Sequence, residues 1–155
     1  MKKSFTTLII IILFCFKAFI VKGQEANQSH KDSLKMIVNE YYKLNIKVFQ
    51  SNSTVDDIDN IFKLFSEDFT YVHPKYGGVY TRKKLYEGYV RNQKNGGYNG
   101  SVADIKIVNT ILGLNAVVVE KKFISKTDTG TEAGKPQMTL FEFKEGKIFK
   151  IFEYW

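Results

Sequence analysis

The sequence predicts an α+β domain: a curved antiparallel sheet with three helices on one face. Three observations carry that prediction. Apolar residues recur at helical spacing only in the first two thirds of the chain, before Gln93. From Ser101 onward the apolar residues sit in long β-prone runs. The last two runs, Gln137–Phe143 and Lys147–Tyr154, flank Lys144-Glu145-Gly146, a short glycine-containing break that reads as a hairpin. Helices first and consecutive strands afterwards are the order of an α+β domain, not of alternating βαβ units.

The first 23 residues read differently from the rest. Lys2 and Lys3 precede the apolar run Leu8–Phe16, and Val21-Lys22-Gly23 supplies a cleavage site, so residues 1–23 are expected to be a secretory signal peptide. The apolar stretch is short for a bilayer and Lys17 interrupts it, so no stable membrane anchor is expected after cleavage. The expected location is secreted or periplasmic. Losing Lys2, Lys3, Lys17 and Lys22 lowers the formal net charge from +7 to +3. The remaining basic residues are scattered, with Arg82 and Arg91 the only arginines, which argues against a nucleic-acid partner. The single cysteine, Cys15, leaves with the signal, which excludes disulfide and thiol chemistry in the mature chain.

In the mature chain, Gln24–Lys31 is polar and expected to be a loose lead-in. From Asp32 to Gln50, Leu34, Val38, Tyr41, Asn45 and Val48 recur at helical spacing, and Ile37, Leu44 and Phe49 widen the stripe. Ser53 or Thr54 can cap a second helix, with Asp56 and Asp57 at its positive end and Val55, Ile58, Ile61, Phe62 and Phe65 as its buried face. Phe69–His73 is expected to be a short strand ending at Pro74, followed by a turn at Lys75-Tyr76-Gly77-Gly78. Thr81 caps a third helix running to about Gln93. Strands are expected at Ser101–Leu112, Ala116–Thr127, Gln137–Phe143 and Lys147–Tyr154, with Asp128–Pro136 as a polar loop.

The final hairpin allows two registers. A two-residue loop pairs Phe143 with Ile148 and mixes both faces. A three-residue loop, with Gly146 left-handed, pairs Phe143 with Phe149, Phe141 with Ile151 and Thr139 with Glu153. That register gathers Phe141, Phe143, Phe149, Ile151 and Trp155 on one face, with Thr139 and Glu153 as its polar exceptions, and is the one expected. The opposite face (Leu140, Ile148, Phe152, Tyr154) is apolar enough to offer a homodimer surface.

Leu64-Phe-Ser-Glu-Asp-Phe-Thr-Tyr-Val-His-Pro74 and Gly146-Lys-Ile-Phe-Lys-Ile-Phe-Glu-Tyr-Trp155 resemble the nuclear transport factor 2-like superfamily, which includes SnoaL-like cyclases and ketosteroid isomerase. The resemblance covers residues 32–155. It implies a sheet wrapped into a cone, with the three helices on its concave face and a pocket at the open end. Such folds host isomerases, dehydratases, cyclases and pure binding domains, so the fold alone assigns no chemistry. Ketosteroid isomerase works with a carboxylate base and an oxyanion hole made by a tyrosine and a neutral aspartic acid. By resemblance the base position, before the proline, falls on His73. The oxyanion tyrosine falls on Tyr41, with Tyr42 as the alternative, and the acidic donor position falls on Thr139.

These residues define the candidate site. His73 is expected as the proton-transfer group, since imidazole titrates near physiological pH. Glu153 lies on an apolar face, where a carboxylate needs a partner: it can orient His73, bind a polar substrate group, or meet a lysine. Tyr41 would stabilise developing negative charge. Thr139, Phe141, Ile151, Tyr71 and Trp155 are the expected ligand-binding wall, and Tyr80 and Tyr86 are further wall candidates. Glu120 and Glu142 are expected on the outer face, paired with Lys121, Lys122 or Lys150. No metal-ligand spacing, phosphate loop or nucleophile motif is present, so no cofactor is expected. The expected partner is a small apolar or aromatic molecule. Two functions remain open, cofactor-free acid–base chemistry and non-catalytic binding or dimerisation in the cell envelope.

Overall fold

Residues 28–155 are described by the structure, a computed structural model, so the expected signal peptide and its cleavage site lie outside the described residues. Helix α1 spans Gln28–Val48, four residues earlier than the periodicity predicts. Polar contacts replace the missing apolar pattern there. Gln28 Nε2 donates to Asp32 Oδ1 at 2.9 Å. His30 Nε2 reaches Leu114 O at 2.8 Å, fixing the helix start to a distant turn. Leu34, Val38, Tyr41, Tyr42, Asn45 and Val48 form its buried face.

Helix α2, Val55–Phe62, follows Thr54. The Thr54 N–H donates to Asp57 Oδ2 at 2.9 Å, and Lys47 from the end of α1 pairs with Asp57 at 2.6 Å. Strand β1 then runs Phe65–His73, longer than predicted, because Phe65 leaves the helix and stacks on Phe69 with centroids 3.9 Å apart. A single 3-10 turn, Pro74–Tyr76, leads through Gly77 and Gly78, both at positive φ, into the short strand β2, Gly78–Thr81. Helix α3 covers Arg82–Lys94, and the Thr81 hydroxyl accepts the Lys84 N–H at 3.3 Å. The remaining strands are β3 (Val102–Leu112), β4 (Ala116–Thr127), β5 (Gly130–Ala133), β6 (Gln137–Lys144) and β7 (Lys147–Tyr154). The polar loop expected at 128–136 thus contains a fifth short strand, folded back on β4.

The sheet order is β2-β1-β7-β6-β4-β3, with β5 beside β4. It is mixed, not purely antiparallel: β7 enters between β1 and β6 and runs parallel to β1. Register shifts interrupt the β1–β7, β3–β4 and β6–β7 ladders, and such bulges bend and twist a sheet. The helices pack on one face. There Leu34, Val38, Ile58, Ile61, Phe65, Phe69, Val117, Val119, Phe141, Ile148 and Ile151 are all at most 1% exposed.

The β6–β7 turn corrects the predicted loop length. Glu145 (φ 53°) and Gly146 (φ 75°) form a two-residue turn, and Phe143 faces Ile148. Two positive φ values are the type I′ pattern, whose twist suits a hairpin. A register shift at Phe149 then restores the predicted pairs Phe141–Ile151 and Thr139–Glu153. Ile148 therefore turns inward to zero exposure, while Phe149 is only half-buried. Ile148 is accordingly removed from the outer face, where Leu140 and Phe152 are half-buried and Tyr154 is exposed.

Candidate functional site

Period-two alternation carries successive rows of side chains across the inner face. One row, Val117–Phe141–Ile151–Tyr71, is read directly from the strand pairings. The next holds Val119, Thr139 and Glu153, and continuing the β1–β7 register brings His73 to the level of Glu153. Lys121, two residues beyond Val119 on β4, faces the same way. The chain thus places four polar side chains, all at most 3% exposed, in the middle of an apolar sheet face, and Lys121, Thr139 and Glu153 form a bonded cluster among them.

Lys121, Thr139 and Glu153 satisfy one another. Lys121 Nζ donates to Glu153 Oε2 at 2.9 Å, Oε1 at 3.1 Å and Thr139 Oγ1 at 2.6 Å. The Thr139 hydroxyl donates to Glu153 Oε2 at 2.7 Å, and the Trp155 indole N–H donates to the same oxygen at 2.8 Å. The Lys121 ammonium also stands over the Tyr42 and Phe123 rings, at 5.4 and 5.6 Å. Burial pulls the Lys121 pKa below its ordinary value, and the Glu153 carboxylate opposes that shift. The lysine is the residue that sequence reasoning missed, because it was assigned to the outer face. Its signal was present: Val117, Val119, Lys121 and Phe123 alternate on one side of β4.

The expected residues lie close together but do not form a dyad. Glu153 spends its acceptors on Lys121, Thr139 and Trp155. Among the described residues His73 finds no hydrogen-bond partner for either ring nitrogen, although it is only 3% exposed. Its cover is thin: Trp155 and Tyr76 pack on the imidazole with centroids at 4.5 and 4.4 Å, and Tyr76 itself is 57% exposed. Burial lowers the His73 pKa, while the Glu153 charge partly offsets the fall and Lys121 and Lys75 add to it. The net effect favours the neutral imidazole.

Tyr41 is buried against Tyr42, Phe65 and Phe141, and burial foremost, then Tyr89, Tyr71 and Glu153, push its phenol pKa up. Burial and Glu153 do the same for Tyr71. The Tyr42 hydroxyl is buried without a hydrogen bond of good geometry, although Thr139 lies near enough to counter part of the burial effect on its pKa. Phe141, Ile151 and Thr139 have zero exposure. Packed side chains fill the centre of the cone at these positions.

Open space lies instead at the mouth. A cleft of about 1040 Å³ is lined by Phe49, Tyr76, Tyr80, Tyr89 and Tyr98, with Lys84, Leu85, Gly88, Arg91, Asn92 and Asn95 from α3 and its end. Helix α3 forms one side of it: Leu85, Tyr86, Tyr89 and Val90 are half-buried against the core, while Lys84 and Arg91 stay exposed. Long polar side chains tether the helix: Arg82 to Phe62 O at 3.1 Å, Tyr86 to Asp59 at 2.7 Å, Tyr89 to Asn45 at 3.0 Å and Gln93 to Ser53 O at 2.9 Å. Two lining residues connect the cleft to the interior. Tyr76, held by a hydrogen bond from the Tyr80 hydroxyl to its carbonyl, rests on His73. Tyr89 hydrogen-bonds Asn45 beside Tyr41. Among the described residues no group of three or more His, Cys, Asp or Glu gathers to hold a metal.

Comparison with solved structures defines the fold class. The chain has the nuclear transport factor 2-like fold. A nuclear transport factor 2-like protein from Anabaena variabilis superposes with TM-score 0.57 at 16% identity, over 85% of this chain and 94% of that one. A ketosteroid isomerase-like protein from Catenulispora acidiphila, in complex with trimethylamine, matches with TM-score 0.52 at 17% identity over 77% and 84%. The epoxide hydrolase/cyclase-like enzyme SalBIII of salinomycin pyran-ring formation matches with TM-score 0.53 at 18% identity over 84% and 93%. No family model and no curated protein matches the sequence.

Proposed function

We propose that the protein is an exported binding domain that holds a small apolar or aromatic molecule in the cleft between α3 and the mouth of the cone. The observation that carries this reading is the cleft itself. Its volume of about 1040 Å³ is at the upper end of the roughly 300–1,000 Å³ usual for ligand pockets, and five aromatic rings line it. Solved proteins of the same fold include one in complex with trimethylamine, which supports small-molecule binding as a use of this architecture.

The polar cluster supports binding over catalysis. A carboxylate that already accepts from an ammonium, a hydroxyl and an indole is a poor general base. The test is a fluorescence titration with the neutral dye N-phenylnaphthylamine, in wild type and in Gly88→Leu, which fills the cleft from α3. Saturable binding that the substitution weakens is expected. No saturable binding of this dye or of an anionic dye of the same shape, or binding indifferent to Gly88→Leu, would refute the assignment.

One observation favours a second reading: both His73 nitrogens are buried without partners, as a proton-transfer group awaiting a substrate would be. In that reading His73 abstracts a proton α to a carbonyl. Deuterium exchange into small ketones by wild type but not by His73→Gln would establish it, and equal exchange by both would remove it. The outer sheet face, with Ile111, Met138 and Tyr154 exposed around a shallow groove, supports pairing of two copies as a further part of the proposal. Sedimentation velocity tests it, and a monomer at all concentrations would reject it.

A further inference from the structure

The cleft has a charge as well as a shape. Lys84, Gly88, Arg91 and Asn95 fall on one stripe of α3, three to four residues apart, and all four line the cleft. Seven residues of helix separate the two cations by about 10 Å along the axis. Gly88 leaves the helix surface between them bare. A Cβ added there would meet only the Arg91 guanidinium, at 4.0 Å, so the guanidinium lies back over the glycine toward Lys84. A mid-helix glycine costs about 1 kcal/mol relative to alanine, and here it opens the floor beneath a cation.

Neither cation is neutralised. Among the described residues no ion pair or hydrogen bond engages the side chain of Lys84 or Arg91. The acidic neighbour Glu87 points elsewhere, toward Lys83 at 3.9 Å. Among the described residues no carboxylate lines the cleft, and a third cation, Lys75, stands 5.5 Å over the Tyr76 ring that forms one wall. A neutral ligand would leave this field unanswered, and a cationic one would oppose it.

Resting on the binding reading above, we infer that the ligand is an organic anion with an aromatic body, of the aromatic carboxylate or sulfonate class. Its rings lie among Phe49, Tyr76, Tyr80, Tyr89 and Tyr98, and its charged group meets Lys84 and Arg91. Arginine supplies a planar fork that matches a carboxylate or sulfonate, and lysine supplies a point charge beside it.

Two dyes of nearly the same shape separate charge from ring burial: anilinonaphthalene sulfonate, an anion, and N-phenylnaphthylamine, its neutral counterpart. At low salt the anion should bind wild type at least about fivefold more tightly, the scale of two partly exposed charge contacts. The advantage should shrink at high salt. Lys84→Gln/Arg91→Gln, on an exposed helix stripe, should bring the two dyes to similar affinity by weakening the anion alone. Gly88→Leu should weaken both. If both dyes bind wild type equally, or the double variant leaves the ratio unchanged, the inference is overturned while the cleft stands as a neutral pocket. If neither dye binds, or Gly88→Leu affects neither, the binding reading falls and takes the inference with it.

Discussion

Glu153→Gln tests the buried cluster most directly. The substitution preserves volume and one acceptor oxygen but leaves the Lys121 ammonium, 2% exposed, without its counter-charge. Breaking a buried pair by removing one partner costs about 3–5 kcal/mol. An independent ceiling comes from the lysine itself. Discharging a group of ordinary pKa 10.5 at pH 7 costs about 4.8 kcal/mol, at about 1.36 kcal/mol per pH unit, so the variant can lose no more than this before Lys121 sheds its proton. The same ceiling falls to about 1.4 kcal/mol at pH 9.5. The sign follows from proton counts: a lysine whose folded pKa lies below its unfolded value binds fewer protons when folded. The variant's stability therefore rises with pH up to about 10.5. Urea unfolding followed by circular dichroism at pH 7 and 9.5 should show a loss of about 3–5 kcal/mol that shrinks at the higher pH. Lys121→Met/Glu153→Gln should recover to within about 1–2 kcal/mol of wild type, since an apolar replacement removes both charges together. A single-variant loss below about 1 kcal/mol, or one that grows with pH, would refute the claim that a charged Lys121 is buried against Glu153.

Four further outcomes are expected. His73 should titrate below 6.5 by NMR, and lower still in Glu153→Gln, because the carboxylate is what partly restores a pKa that burial depresses; identical curves in the two proteins would show that the groups do not interact. For the same reason the folded state takes up fewer protons than the unfolded state once the pH drops below about 6.5, so stability should erode there, and His73→Phe should flatten that part of the profile; an unchanged profile would show a freely protonated imidazole. Gly146→Val, at φ 75°, should lower stability by more than about 1 kcal/mol in urea unfolding, and a neutral result would point to a different turn. Exported material should begin at or near Gln24 on N-terminal sequencing, and a chain still carrying residues 1–20 would point to a retained anchor.

The helices, four long strands and the Thr139–Glu153 pairing were legible because each rests on a strong periodic signal. Thr139 and Glu153 stand out as polar positions on an otherwise apolar face, and the sheet places them opposite each other. The hairpin turn was misread for a specific reason. Pairing arithmetic assumes an unbroken ladder, whereas a bulge at Phe149 lets a two-residue turn coexist with the register a three-residue turn would give. Lys121 was missed through attention to charge type over position, since its alternation with Val117 and Val119 already placed it inside. Of the cleft, only a pocket at the open end and Tyr80 as a wall residue were legible. It depends on the exposed flank of α3, where Lys84, Gly88 and Arg91 carry no apolar period to read.

The place of β7 has a consequence for how the chain is made. The eight residues Lys147–Tyr154, made after every other strand of this sheet, sit between β1 and β6, joining the N-terminal part of the sheet to the rest. Until they arrive, Phe65, Phe69 and Tyr71 have no inner neighbour strand, and β1 has only the short β2 beside it. Closure of the sheet thus waits on contacts some eighty residues apart in sequence, of the kind that slow folding.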